Sequence, residues 1–181
     1  MIPKLNPRDA SDVLKNGGTA IYPTEGIYGL GCDPFNSKSV ENIFKAKGRS
    51  KNKSFIILGS DIKYFHNIID STYIMDESLQ SESFTTWIVP SNEICPPWLK
   101  RNNMVAIRLT KHETVMLLCD HMNAPIISTS ANLSNSQYDS DIKNIEKIFD
   151  EKIDCIVKGL LGNERKPSTI KNIITKELIR A

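Results

Sequence analysis

The spacing of apolar positions alternates between short β-type runs and stretches of helical period. Asn6-Pro7 places a cap residue before a proline at the first helical position, and Ala10, Val13 and Leu14 carry a stripe that stops at Gly17-Gly18. Residues 19–22 read as a strand that breaks at Pro23 and passes into a turn holding three glycines, Gly26, Gly29 and Gly31. A helix is predicted from Asn36 or Ser37, with Val40, Ile43 and Phe44 at i, i+3, i+4 and Gly48 as its C-cap. The continuous apolar run 55–58 predicts a strand covered on both faces. Ser60-Asp61 predicts a helix reaching Ile69, and Ser71 caps another reaching Leu79.

Farther along, residues 85–89 and Met104–Leu109 read as strands, and Cys95 to Leu99 as a tight connection or short helix. Glu113–Met122 has helical period, and Pro125-Ile126-Ile127 enters a hydroxyl-rich turn at Ser128-Thr129-Ser130-Ala131-Asn132. Asp139 or Ser140 caps a helix carrying Ile142, Ile145, Ile148 and Phe149, and 155–157 is strand-like. After a polar loop at 162–168, residues 168–170 and 173–174 again have strand character. No repeat or linker divides the chain. The alternation predicts one α/β domain over residues 1–181, with a mixed sheet because several connections are too short for parallel crossovers.

Composition narrows the class without choosing a ligand. The 181 residues suffice for one domain with a sizeable core, and 40% hydrophobic with 24% charged residues is ordinary for a globular protein. A net charge of +2 permits an anionic ligand but does not demand one. Cys32, Cys95, Cys119 and Cys155 are far apart, with no C-x-x-C pair, and read as reduced thiols. The first residues lack an apolar run of signal-peptide length and nothing later reaches membrane-spanning length, so a cytoplasmic protein away from membranes is expected.

Four constellations carry candidate chemistry, each with an ordinary reading beside it. Thr24-Glu25-Gly26 with Tyr28 is either a plain strand-to-helix turn or a place where the Thr24 hydroxyl and free backbone groups hold a small polar substrate. Its glycine spacing is not G-x-G-x-x-G, which argues against a dinucleotide fold. Lys47, Arg49, Lys51 and Lys53 form a solvated basic run, a set of cations for a triphosphate bound without a P-loop, or a contact for an RNA backbone. Ser128 to Asn132 offers three hydroxyls and a carboxamide after an apolar strand, suited to turn formation or to reading a ligand. No G-x-S-x-G elbow surrounds Ser130, and His66, His112 and His121 show no triad-like placement. Arg108, ending an apolar strand, suits a salt bridge or a substrate carboxylate.

Taken together, Tyr22-Pro-Thr-Glu-Gly-Ile-Tyr-Gly-Leu-Gly-Cys-Asp33, Lys47-Gly-Arg49, Val105-Ala-Ile-Arg108 and Ser128-Thr-Ser-Ala-Asn-Leu-Ser134 resemble the YrdC-like family of threonylcarbamoyl-adenylate synthases, in the family's order from Thr19 through Ile170. The length resembles its short bacterial single-domain form, of TsaC type. The resemblance implies a twisted mixed sheet with flanking helices around a basic cavity. There L-threonine, bicarbonate and ATP would become threonylcarbamoyl-AMP and pyrophosphate, for N6-threonylcarbamoylation of adenosine 37 in tRNA by downstream transfer proteins. It places Lys47, Arg49, Ser130 and Asn132 as the catalytic group, Lys47, Arg49, Lys53, Asn132 and Ser140 at ATP, and Thr24, Gly26, Arg108, Ser130 and Ser168 at threonine. Magnesium is expected with ATP, though no carboxylate cluster marks a protein-only site.

Departures from the family pattern are local. Glycine stands at 26 where members often have threonine; a Trp-Pro-Gly-Pro-x-Thr pattern is reduced to residues 81–86; and 135–140 replaces a Gly-x-Pro-Ser-x-Thr continuation. Ser50 and Lys171 stand where a proline and an acidic residue are expected. Two other readings are a non-catalytic RNA-binding or ribosome-maturation factor and a paralogue handling another carbamoyl-adenylate.

Overall fold

The structure, a computed structural model, describes residues 1–82, 84–164 and 166–181; Ser83 in the altered 81–86 stretch and Arg165 in the polar loop lie outside the described residues. Ten strands are described: β1 (Lys4–Leu5), β2 (Thr19–Pro23), β3 (Tyr28–Cys32), β4 (Ile56–Gly59), β5 (Thr85–Pro90), β6 (Met104–Leu109), β7 (Ile126–Ser130), β8 (Cys155–Val157), β9 (Thr169–Asn172) and β10 (Leu178–Arg180). The helices are α1 (Pro7–Lys15), α2 (Ser37–Lys47), α3 (Ser78–Ser81), α4 (Glu113–Met122) and α5 (Ile142–Phe149). The strands form one mixed sheet in the order β1-β8-β2-β3-β7-β4-β6-β5-β9-β10. The parallel pairs, such as β4 with β6, all have a helix or long connection between them, and the short connection from β2 to β3 gives an antiparallel pair; β7 is also antiparallel to both β3 and β4, although long stretches of chain separate them.

Side-chain alternation assigns the two faces. Ile21, Ile57, Ile107, Ile127 and Ile156 point into one apolar core with Val40, Ile43 and Phe44 of α2 and Ile145 and Phe149 of α5. Their neighbours Ala20, Tyr22, Leu58, Ile126, Cys155 and Val157 point to the other face, where Ala10 and Leu14 of α1 and Val115, Leu118 and Cys119 of α4 cover them. The cap positions follow the sequence: the Asn6 side chain accepts from the Asp9 N–H, the Asn36 side chain from the Ser39 N–H, and Gly48 adopts the left-handed conformation at φ 57°. All four cysteines are buried free thiols.

Several expectations change. The glycine turn is largely a strand: residues 28–32 pair antiparallel with β2 and, through Gly29 and Leu30, with β7. Its glycines serve close packing, because a Cβ at Gly31 would run into the Ile127 carbonyl and one at Gly29 into the Tyr22 ring. The helix expected to reach Ile69 is a short 3-10 segment, Ile62–Phe65, and the one expected from Ser71 divides into a 3-10 turn and α3. Buried Phe65, Ile68 and Ile69 join the core, so packing rather than helical period organises them. The cap of α5 is Asp141. Ile173 and Ile174 lie in the turn between β9 and β10. Among the described residues, no helix is long and apolar enough to cross a membrane.

Candidate active site

The last turn of α2 delivers Lys47 beneath the exit of β7. Its side chain is 2% exposed, and Nζ donates to the carbonyls of Ser130 and Asn132. The Ser134 N–H returns a bond to the Lys47 carbonyl at 2.9 Å, so the hydroxyl-rich turn is clamped to the helix end from both sides. Within the turn the Ser130 hydroxyl donates to Asn132 Oδ1 and the Asn132 amide to the Ser136 carbonyl, both at 2.6 Å. Burial, and then the charge of Arg49, push the Lys47 ammonium down to about 8, while the two carbonyls favour its charged form.

The left-handed Gly48 turns the chain so that Arg49 lies against Phe55, its guanidinium 5.1 Å from the ring. Arg49 Nη2 donates to the Ser54 carbonyl at 2.7 Å, and its buried Nε has no protein partner. Lys53 Nζ donates to Asn135 Oδ1 at 3.1 Å, bridging the basic loop to the altered 135–140 stretch. The structure therefore gathers Lys47, Arg49, Lys53, Ser130 and Asn132 around one strand end. Ser140 is exposed between Asp139, which accepts from the Asp141 N–H, and the cap residue Asp141, and no hydrogen bond among the described residues ties it to that group.

A second polar group forms on the sheet face that Ile107 turns away from. Arg108 is 6% exposed; its Nη2 donates to Glu25 Oε2 at 2.9 Å, and its guanidinium lies 4.9 Å from the Phe84 ring. The Thr110 hydroxyl donates to Glu25 Oε1 at 2.6 Å. Burial lowers the Arg108 pKa from its ordinary value, Glu25 opposes the shift, and Arg180 adds to it. Ser168 is 3% exposed, shares a 2.8 Å hydroxyl contact with Thr86, and receives Arg180 Nη2 on its carbonyl at 2.8 Å. Tyr22 crosses the glycine strand to donate to the Ile127 carbonyl at 2.7 Å, and burial drives its phenol pKa upward.

Thr24 and Gly26 play other parts than a ligand-facing hydroxyl. The Thr24 hydroxyl is buried and donates to the Ile27 carbonyl at 2.8 Å, closing its own loop. That loop is zipped to the polar segment near the C-terminus: the Gly162 N–H donates to the Thr24 carbonyl at 2.9 Å and the Glu164 N–H to the Glu25 carbonyl at 2.8 Å. A Cβ at Gly26 would meet the Glu164 carbonyl, and one at Gly162 the Glu25 backbone. The absent threonine at 26 thus has a steric reason.

Beside Glu25 lies a cavity of about 490 Å³ whose described lining includes Glu25, Asp61, Glu82, Glu164, Lys111 and Phe84. Among those residues acidic groups outnumber the single lysine, whereas the cations gather at the exit of β7. Sequence reasoning missed four of these contributors. Glu25 stands inside a quoted motif with no role, Thr110 and Phe84 have no local signal, and Arg180 shows only as a cation ending an apolar pair. Among the described residues, no three His, Cys, Asp or Glu side chains converge as a metal site.

A family model described as telomere recombination (Sua5/YciO/YrdC) matches residues 12–181. The chain is 36% identical over 179 residues to a threonylcarbamoyl-AMP synthase of Coxiella burnetii, covering 95% of each. It is 34% identical over 186 residues to one of Pseudomonas aeruginosa, covering 99% of each. Among solved structures, P. abyssi Sua5 complexed with L-threonine matches with a TM-score of 0.84 at 24% identity, over 96% of this chain and 54% of that one. E. coli YciO matches with a TM-score of 0.79 at 18% identity, over 100% and 97%. The chain spans about half the length of that Sua5 chain and nearly all of YciO and the two synthases. At such identities the solved structures show the fold.

Proposed function

The chain belongs to the Sua5/YciO/YrdC family, and from that premise we propose that it is an L-threonylcarbamoyladenylate synthase. It forms threonylcarbamoyl-AMP, pyrophosphate and water from L-threonine, bicarbonate and ATP, with residues 1–181 working as one unit. The observation that carries this reading is 36% identity across 95% of a named threonylcarbamoyl-AMP synthase. The product serves tRNA N6-threonylcarbamoyladenosine formation in the cytoplasm, where downstream transfer proteins consume it.

The product joins a carbamoyl oxygen to the α-phosphorus of AMP, so the bond from that phosphorus to pyrophosphate must break. Negative charge grows on the departing pyrophosphate, and fixed cations in a partly dry site stabilise it without reorganising. Arg49, whose Nε keeps a free donor, and Lys53 supply that charge, while Asn132 and Ser130 orient the nucleotide. The Lys47 ammonium is spent on the Ser130 and Asn132 carbonyls, which makes it the residue that shapes the turn. Arg108 and Ser168 flank the amino acid, and Gly26 allows the 162–164 segment to close over it. Magnesium would enter with the nucleotide, held chiefly by its phosphates, and would offset their charge.

The test is pyrophosphate release by purified protein with each substrate omitted in turn. Release requiring threonine, bicarbonate and ATP together supports the reading, and Arg49→Ala and Asn132→Ala each reduce it by about 100-fold or more, the scale for losing a group aimed at developing charge. Folded protein that shows steep salt-dependent RNA binding and no threonine-dependent pyrophosphate overturns it in favour of an RNA-binding factor.

A further inference from the structure

The turn that carries Asn132 leaves the sheet where β7 ends and runs into the 135–140 stretch that departs from the family pattern. One residue past the Gly29–Ser130 pair, the Ala131 N–H still donates to the Tyr28 carbonyl at 2.8 Å. In an antiparallel ladder the return bond would run from the Tyr28 N–H to the Ala131 carbonyl. That N–H donates instead to the phenol oxygen of Tyr138, at 2.7 Å. A side chain farther along thus supplies the acceptor that β7 no longer offers, and its partly buried ring packs against the core.

Between these two attachments to Tyr28 the chain makes a turn. The Ser136 N–H donates to the Leu133 carbonyl at 3.2 Å, with Asn135 left-handed at φ 65°, a conformation that asparagine tolerates. The turn presents the Ser136 carbonyl to the Asn132 amide, while Asn132 Oδ1 receives the Ser130 hydroxyl. Gln137 alone separates Ser136 from Tyr138, so the phenol bond fixes that carbonyl closely. The backbone of Asn132 has its own anchor in the Lys47 ammonium, which donates to the Ser130 and Asn132 carbonyls. The orientation of the Asn132 carboxamide depends on Ser136, and through it on Tyr138.

Resting on the synthase reading above, we propose that Tyr138 is a positioning residue for Asn132: it completes the interrupted ladder at Tyr28, fixes the far end of the turn and holds the carboxamide ready for the nucleotide. A tyrosine that served only the fold would act through stability and leave turnover by the folded protein unchanged. A positioning tyrosine acts on turnover. It also spares the threonine side, because the Arg108–Glu25 and Ser168–Thr86 contacts do not pass through this turn.

Steady-state pyrophosphate release compares wild type with Tyr138→Phe, which removes one oxygen atom. The folded variant loses at least about tenfold in kcat/KM for ATP, since a slightly misplaced group costs rate steeply. Its KM for threonine stays within about twofold of wild type, the split that separates a nucleotide effect from a general one. Hydrogen exchange at the Tyr28 amide quickens while the central strands keep their protection. A glycine inserted between Gln137 and Tyr138 keeps the phenol bond but slackens the span to Ser136. It gives the same kinetic loss with a protected Tyr28 amide, and decides the matter if circular dichroism shows that Tyr138→Phe does not fold. Unchanged kcat/KM for ATP in the folded variants, or an equal loss on the threonine side, overturns the proposal while leaving the synthase reading intact. Wild type that releases no threonine-dependent pyrophosphate overturns the synthase reading, and this proposal with it.

Discussion

Lys47 illustrates how a single residue can serve a site without facing its ligand. In the sequence it is one cation in a basic run; in the fold its ammonium is buried and donates to two carbonyls of the turn that carries Ser130 and Asn132. Its pKa falls from 10.5 to about 8 in the folded protein. Between those values the unfolded chain binds more protons than the native one, so this group alone makes stability rise with pH, whereas the charged tether is lost. Activity is therefore expected to fall above about pH 8 without a matching fall in thermal stability, as read from a pH–rate profile beside melting temperatures over the same range. A parallel decline of both would show that the alkaline loss is unfolding and not the loss of the tether. Lys47, Arg49, Ser130 and Asn132 are grouped in the sequence through the family resemblance of their segments, and in the fold the Lys47 ammonium meets the turn that carries Ser130 and Asn132. The Glu25–Arg108 pair joins residues 83 apart in the chain, and no local pattern announces such a contact.

Secondary-structure elements were legible where a cap bounded a sustained helical period, as in α1 and α2, whereas the caps at Asp61 and near Ser71 open only short 3-10 segments. Asn6, Asn36 and Gly48 fixed helix ends through their own hydrogen-bonding chemistry. Strand β3 was not legible, because Gly29 and Gly31 are turn-formers by propensity and are used here where backbone and ring approach closely. The same physics governs the loop after β2. Gly26→Thr, which restores the side chain the family often carries, places a Cβ against the Glu164 carbonyl and is expected to prise the 162–164 segment from residues 24–25. Overpacking of this kind costs about 1–3 kcal/mol. Hydrogen exchange at the Gly162 and Glu164 amides reads it directly: faster exchange there, with the protection of β2 and β4 unchanged, is the expected result. Unaltered exchange would mean that the segment can shift enough to admit the side chain.

Across the whole molecule, the sheet brings the two ends of the chain's chemistry together. β10 pairs with β9 at the far edge, and from it Arg180 reaches back to Ser168, which touches Thr86. Removing residues 178–181 takes away an edge strand and this arginine while leaving the central strands paired. The truncated protein is expected to keep its circular dichroism spectrum yet lose about tenfold or more of its pyrophosphate release, because misplaced binding groups cost rate steeply. Full activity after truncation would show that Arg180 only braces the edge. The sequence by itself determined the α/β class, most helix ends and the four motif segments, since these depend on period, capping and residue type over short spans. Only the tertiary structure decided that a glycine-rich stretch is a strand, that Lys47 clamps a turn, and that Glu25 meets Arg108. Those outcomes depend on strand order and sheet register, which bring distant residues within hydrogen-bonding reach.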